Sequence, residues 1–313
     1  AGVDEVGVGC LAGPVISAAV VFGHNKPEQV FKDSIGRLYI KIYVAGDPIN
    51  AGGSLTRTVT DENDAVILNG VTATNDGTGI YYVDLGVANT TKVKKLYAEW
   101  SGTFQGSTQK ARTHHEVIGF PIFTEAQARA FDIAQLNDSS SYSESAILQE
   151  RATITDLLEQ WTGVAWSPRY NRAKIIGEKE KMISLPNFHI NEIISVKILG
   201  ETIAVSNFEI DENAGFIYRK DGLFPEATTD FPLPIVIEYE HGWDYIRNGV
   251  DRIALKLVVD RLVSTNIPDR ATSFNDELGN ISLVTQGGGF KNPTRIPEVN
   301  QWIEENMEKV FGV

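Results

Sequence analysis

Cysteine is nearly absent from this 313-residue chain: Cys10 is its single thiol. One thiol excludes an intrachain disulfide framework and a cysteine-rich zinc site. Positive charge is scarce as well, with 28 Lys and Arg against 41 Asp and Glu and a net charge of −13. A surface that reads nucleic-acid sequence needs basic patches, so that class is disfavoured, although DNA can pass close by without being gripped. No apolar run approaches the ~20 residues needed to cross a bilayer, and no membrane partner is expected. What the chain does have is 42% hydrophobic residues, enough for more than one core. Two or three domains are expected.

The most apolar stretch of helical period is NGVDRIALKLVVDRLVSTNIPDR, residues 248–270. Val250, Ile253, Ala254, Leu257, Val258 and Leu262 recur at helical spacing, and Leu255, Val259 and Val263 widen the arc. Only Arg252, Lys256 and Asp260 form a polar stripe. Such a helix is central to a domain or shared with a neighbouring subunit. Asn248 is the expected N-cap, and Pro268 stops the pattern.

Taken from its start, the chain opens with a strand, a Gly-rich turn and a second strand from Val15 to Phe22. GVDEVGVGCLAGPVISAAVVF, followed by KDS, resembles the start of type 2 ribonuclease H. The resemblance implies that the paired carboxylates Asp4 and Glu5 hold a divalent metal for cutting RNA in RNA–DNA hybrids. The family's Gly-Arg-Gly turn is Gly7-Val8-Gly9 here, which lacks the donor fork of arginine. Its second Lys after KDS is Ile35, and the later carboxylates of the metal site have no counterpart. Residues 1–36 therefore read as an incomplete, strand-forming appendage, with nuclease activity as the alternative.

Residues 37–120 alternate in character, with Leu38, Ile40, Ile42 and Val44 on one face, then GIYYVDL and KLYAEW. Turn chemistry at 46–53 and 75–79 separates these strands. An immunoglobulin-like β-sandwich is expected, with Trp100 and Tyr82 in its core. His114, His115 and Glu116 invite a metal reading, but neighbours on a strand point to opposite faces. They read as the exposed polar end of a strand.

Thr124 and Gln127 have capping-box spacing and open a helix through about Leu136. A polar linker, 137–145, leads to a helix that Ser143 caps and Gly163 stops, with Ile147, Ile154, Leu157, Leu158 and Trp161 on one face. Gln149, Glu150, Asp156 and Glu159 read as its solvated face. Strands return over about 174–241, with turns at Gly200-Glu201 and Glu212–Gly215. An extended arm at about 271–296 contains Gly287, Gly288 and Gly289, without the frame of a phosphate loop. Pro297 begins a last helix.

ILQERATITDLLEQWTGVAWSPR, YEHGWD, VDRIALKLVVDRLV, IPDRATSFNDELG and LVTQGGG…RIPEVNQWI, in this order over 124–313, resemble the head–tail connector (adaptor) proteins of tailed double-stranded DNA phages. The resemblance implies a helical bundle with an inserted antiparallel β element. It also implies a homo-oligomeric ring, commonly of about twelve subunits, in the virion neck between the portal protein and a stopper or tail protein. Some relatives carry an immunoglobulin-like domain ahead of the bundle. The expected chain is thus an α+β multidomain structural protein, not an enzyme and without a cofactor. Its parts are an appendage (1–36), a β-sandwich (37–120) and the connector domain (124–313). Lys256, Val259 and Gly287–Gly289 are the candidate oligomer interface, and the acidic balance suits a channel along which DNA slides.

Overall fold

The computed structural model describes residues 28–44, 47–104, 107–131, 135–247, 249–263, 273–276, 279–282 and 293–307. It is mixed α and β, mostly sheet, with four α-helices among the described residues. The chain divides into two compact units, one containing residues 37–85 and 96–115, the other 28–36, 86–95 and 116 onward. Residues 28–36 and 86–95 thus belong with the second unit, which takes over at Glu116.

In chain order the strands begin with β1 (Glu28–Phe31), β2 (Gly36–Lys41), the short β3 (Tyr43–Val44) and β4 (Asp47–Pro48), and β5 (Thr56–Asp61). There follow β6 (Val66–Thr72), β7 (Thr74–Gly77), β8 (Ile80–Leu85), β9 (Lys94–Phe104) and β10 (Ser107–Ile118). Among its described residues the first unit holds two larger sheets, with strands in the order β10-β9-β5-β6 and β2-β8-β7, and the short two-stranded sheet β3-β4. Alternation governs both, since successive side chains on a strand face opposite ways. Leu38 and Ile40 of β2, Val83 and Leu85 of β8, and Leu96, Ala98 and Trp100 of β9 are buried. The expected core residue Tyr82 is only half-buried. Its neighbour Tyr81 takes the core position instead, accepting a hydrogen bond from the Ala51 N–H at 2.8 Å. A one-residue difference on a strand exchanges the faces, and the pair of adjacent tyrosines does not by itself say which one points in.

Arg57 of β5 is fully buried, a costly place for a guanidinium. It lies over the Trp100 ring, 4.2 Å from its centroid, and donates to the Leu38 carbonyl at 3.1 Å. That bond runs from one sheet of the unit to the other.

In the second unit α1 (Glu125–Ala130) and α2 (Glu144–Thr162) come first. The β region follows with β11 (Arg169–Ile175), β12 (Met182–Ser184), β13 (Ile190–Ile198), β14 (Glu201–Ile203), β15 (Phe208–Asp211), β16 (Phe216–Arg219) and β17 (Ile235–His241). Last come α3 (Val250–Leu262), the hairpin β18 (Ser273–Asp276) and β19 (Gly279–Ser282), and α4 (Pro297–Asn306). The β region is antiparallel, in sheets ordered β11-β17-β13-β14 and β12-β16-β15. Gly200 and Gly215, both left-handed, sit at the turns β13–β14 and β15–β16.

The caps explain where the helices start. Thr124 and Gln127 form the reciprocal capping box of α1, and Ser143 caps α2 by accepting from the Ala146 N–H. Gly163 ends α2 in the left-handed region, φ 75°, a conformation that costs any residue with a Cβ. Two boundaries differ from expectation. α1 stops at Ala130 instead of about Leu136: Phe131 leaves the helix with extended backbone, ψ 144°, and Arg129 donates to the Leu136 and Tyr142 carbonyls. At α3 the N-cap position is Gly249, φ 90°, while Asn248 lies outside the described residues, and the helix ends at Leu262.

Ile147, Ile154 and Leu158 of α2, Ile253, Leu257 and Val258 of α3, and Val299 and Ile303 of α4 meet in one apolar cluster with Phe123 and Trp166. Trp302 of α4 packs against Trp166 with ring centroids 4.9 Å apart. A second cluster, around Ile193, Ile217, Phe224 and Ile237, fills the β region.

Candidate functional site

Three carboxylates from two elements converge on one guanidinium. Arg169, at the start of β11, donates from Nη1 to Glu116 Oε2 at 2.5 Å. Its Nε lies 2.9 Å from Glu159 Oε1. Its Nη2 is 2.8 Å from Glu159 Oε2 and 3.1 Å from Asp156 Oδ1. Asp156 and Glu159 stand three residues apart on α2 and therefore share a face. Gln29 of β1 adds a hydrogen bond from Nε2 to Asp156 Oδ1 at 3.3 Å. The Arg169 side chain is 10% exposed and that of Glu116 7%, whereas Glu159 and Asp156 keep 18% and 24%.

Burial makes this arrangement unusual, because a buried charge requires a partner and here acids outnumber the cation. Burial pushes the Glu159 carboxyl up to about 7, against the attraction of Arg169 and with the charges of Glu116 and Asp156 adding to the rise. His241 of β17 stands opposite Arg169 in the strand register. Burial, with Arg169 and Lys95 nearby, pulls its imidazole down to about 3, so it is neutral at physiological pH.

The expected solvated face of α2 holds at the exposed Gln149 and at Glu150, whose pair with Arg261 of α3 at 2.6 Å lies at the surface, and is corrected at the half-buried Asp156 and Glu159, which turn to Arg169. The expected exposed strand end at 114–116 is corrected too. His114 is exposed, but His115 is 2% and Glu116 5% exposed. His115 Nε2 lies 2.7 Å from Thr113 Oγ1. The signal in the sequence is the run VI-GFPIF after Glu116, which makes the end of β10 a core strand and leaves Glu116 no solvent.

The polar stripe of α3 is satisfied within the unit. Lys256 and Arg252 both pair with Glu298 of α4. Arg295 donates to Asp260 Oδ1 at 2.7 Å and to the Asp260 carbonyl at 3.1 Å. The Lys256 ammonium holds the Glu298 carboxyl below its usual range. Beside this stripe an open cavity of about 500 Å³ is lined by Phe131, Arg252, Lys256, Val259, Asp260 and Ile296. The structure therefore brings together Lys256 and Val259, two of the expected interface residues. Val259 is 9% exposed and belongs to the apolar cluster as well. Gly287, Gly288 and Gly289, and the carboxylates Asp4 and Glu5, lie outside the described residues.

No protein-family model matches the sequence, and no curated protein matches it.

Proposed function

We propose that this chain is a structural virion protein, the head–tail connector (adaptor) of a tailed double-stranded DNA phage. In this reading it is one subunit of a homo-oligomeric ring of about twelve copies in the virion neck, bound by the portal protein on one side and a stopper or tail protein on the other. The observation that carries the reading is the meeting of segments far apart in sequence. ILQERATITDLLEQW lies on α2, YEHGWD closes β17, VDRIALKLVVDRL is α3 and PEVNQWI opens α4. Residues from all of them, Trp243 included, pack around one apolar cluster, with the β region inserted between α2 and α3. This is the organisation expected of a helical bundle with a β excursion.

The first unit is read as the immunoglobulin-like β-sandwich that some relatives carry. Its two larger sheets, its alternation and its buried Trp100 support that, and Cys10 alone leaves no intrachain disulfide. The net charge of −13 suits a passage for DNA, since acidic walls repel phosphate. Light scattering over a concentration series tests the reading: the mass should climb from that of one 34.4 kDa chain to a single closed oligomer. Open-ended growth, or a monomer at every concentration, contradicts it.

A further inference from the structure

The turn between β13 and β14 is built from Leu199 and Gly200, both in the left-handed region, φ 53° and 84°. A two-residue turn of this kind favours Asn before Gly, because the left-handed conformation crowds a larger side chain. Leu199 is locally a poor choice there, and its side chain is exposed besides. Phe231 lies over the same turn, its ring 3.4 Å from where a Gly200 Cβ would sit. The Leu199 N–H donates to the Pro234 carbonyl at 2.7 Å, which holds the segment 231–234 against the turn. Phe231 and Leu233 are exposed as well, so three large apolar side chains gather at one tip. Asp230 and Glu201 flank it, and Lys197 stands two residues before Leu199 on the strand. The Arg169–His241 end of the sheet adjoins the helical cluster through Trp166 and Trp243. The tip lies at the other end of β17, beyond Ile235, about 20 Å along the strand.

We propose that this apolar tip docks into the open cavity beside α3 of a second copy of the chain. Phe131, Val259 and Ile296 give that cavity apolar walls. Around it Arg252, Lys256 and Arg295 stand against Asp260 and Glu298, three cations to two carboxylates. The surroundings are therefore net positive in a chain whose total is −13. At the tip the balance is reversed, with Asp230 and Glu201 against Lys197. Apolar surfaces rimmed by opposite charge select each other and fix the register of the contact, and this complementarity names a second copy as the occupant. A strained backbone kept at an exposed position is accounted for when its side chain is needed there. Tip and cavity are different surfaces, so each copy gives a tip to one neighbour and a cavity to the next. Such a head-to-tail contact closes into a ring when its rotation allows. The inference rests on the reading of the chain as a self-assembling subunit and names the surfaces that join.

Sedimentation velocity of the full chain over a concentration series tests it, with thermal unfolding of the same samples. Leu199→Asn suits the turn better, so its unfolding temperature should equal or exceed that of the wild type. Its association should nevertheless weaken roughly tenfold or more, through the loss of a leucine buried in the contact. Asp230→Lys and Arg252→Glu, both at exposed positions, should each weaken association as well. Mixed in equal amounts these two variants should recover it, because in an alternating assembly every tip meets a cavity of opposite charge. Single losses without recovery on mixing overturn the docking, since the two positions then do not meet. Wild-type association that none of the three substitutions changes also overturns it and leaves the connector reading standing. A wild-type chain that stays monomeric at every concentration overturns both. A lower unfolding temperature in Arg252→Glu, with association of Asp230→Lys unchanged, places the cavity's occupant within the same chain and overturns the docking. Lower stability of Leu199→Asn with association intact shows that the leucine serves the fold, and does the same.

Discussion

Arg169 is a single guanidinium serving three acids, and removing it shows what the arrangement is worth. Arg169→Ala leaves Glu116, Asp156 and Glu159 together without their cation, which should cost about 3–5 kcal/mol in urea unfolding. The pH dependence of stability follows from two residues with opposite signs. Glu159 is raised from 4.5 to about 7, so its contribution is full below 4.5 and is lost as pH rises through about 7. His241 is depressed from 6.5 to about 3, so its contribution is full above 6.5 and is lost as pH falls through about 3. Between 4.5 and 6.5 the native chain holds its proton on Glu159 and the unfolded chain on a histidine, and the two slopes offset. Glu159→Gln should unmask His241, so that stability rises with pH over that window by up to about 1.4 kcal/mol per pH unit. Denaturation midpoints of the two chains across the window check this, and parallel profiles would refute it.

Among the elements, α3 is the one on which the second unit's core is assembled. Leu257 is 4% exposed within the apolar cluster, so Leu257→Ala should cost about 2–5 kcal/mol through lost burial and the cavity left behind. Val259→Asp should also destabilise the isolated subunit, because Val259 belongs to that cluster, although it borders the open cavity. Thermal unfolding of both variants against wild type tests this; a fully stable Val259→Asp subunit would show that the position faces outward. α3 itself is legible in the sequence because its periodicity is local, and so are Thr124, Ser143 and Gly163, whose capping needs only near neighbours. The early end of α1 is not, and the Arg129 bonds that follow it reach carbonyls seven and thirteen residues on. The Arg169 cluster is less legible still. Glu116 and Arg169 are separated by 53 residues, and no local pattern marks acids that only the fold brings together.

For the whole molecule, catalysis and assembly stand against each other. On the connector reading proposed above, the ribonuclease-like first residues, which lack the arginine of the turn and the later carboxylates, are expected to catalyse nothing. Incubation with Mn²⁺ and an RNA–DNA junction duplex should leave the duplex intact; metal-dependent cleavage abolished by Asp4→Asn with Glu5→Gln would reverse that assignment. Under the proposed connector function assembly matters more, because such a protein would work through a closed ring and its acidic charge, not through a reaction at one centre. Electron-microscope images of the purified chain at high concentration address it most directly. Ring-shaped particles with a central channel and a single rotational symmetry are the expected result. A field of separate monomers at every concentration, or open filaments without closure, would contradict the connector assignment.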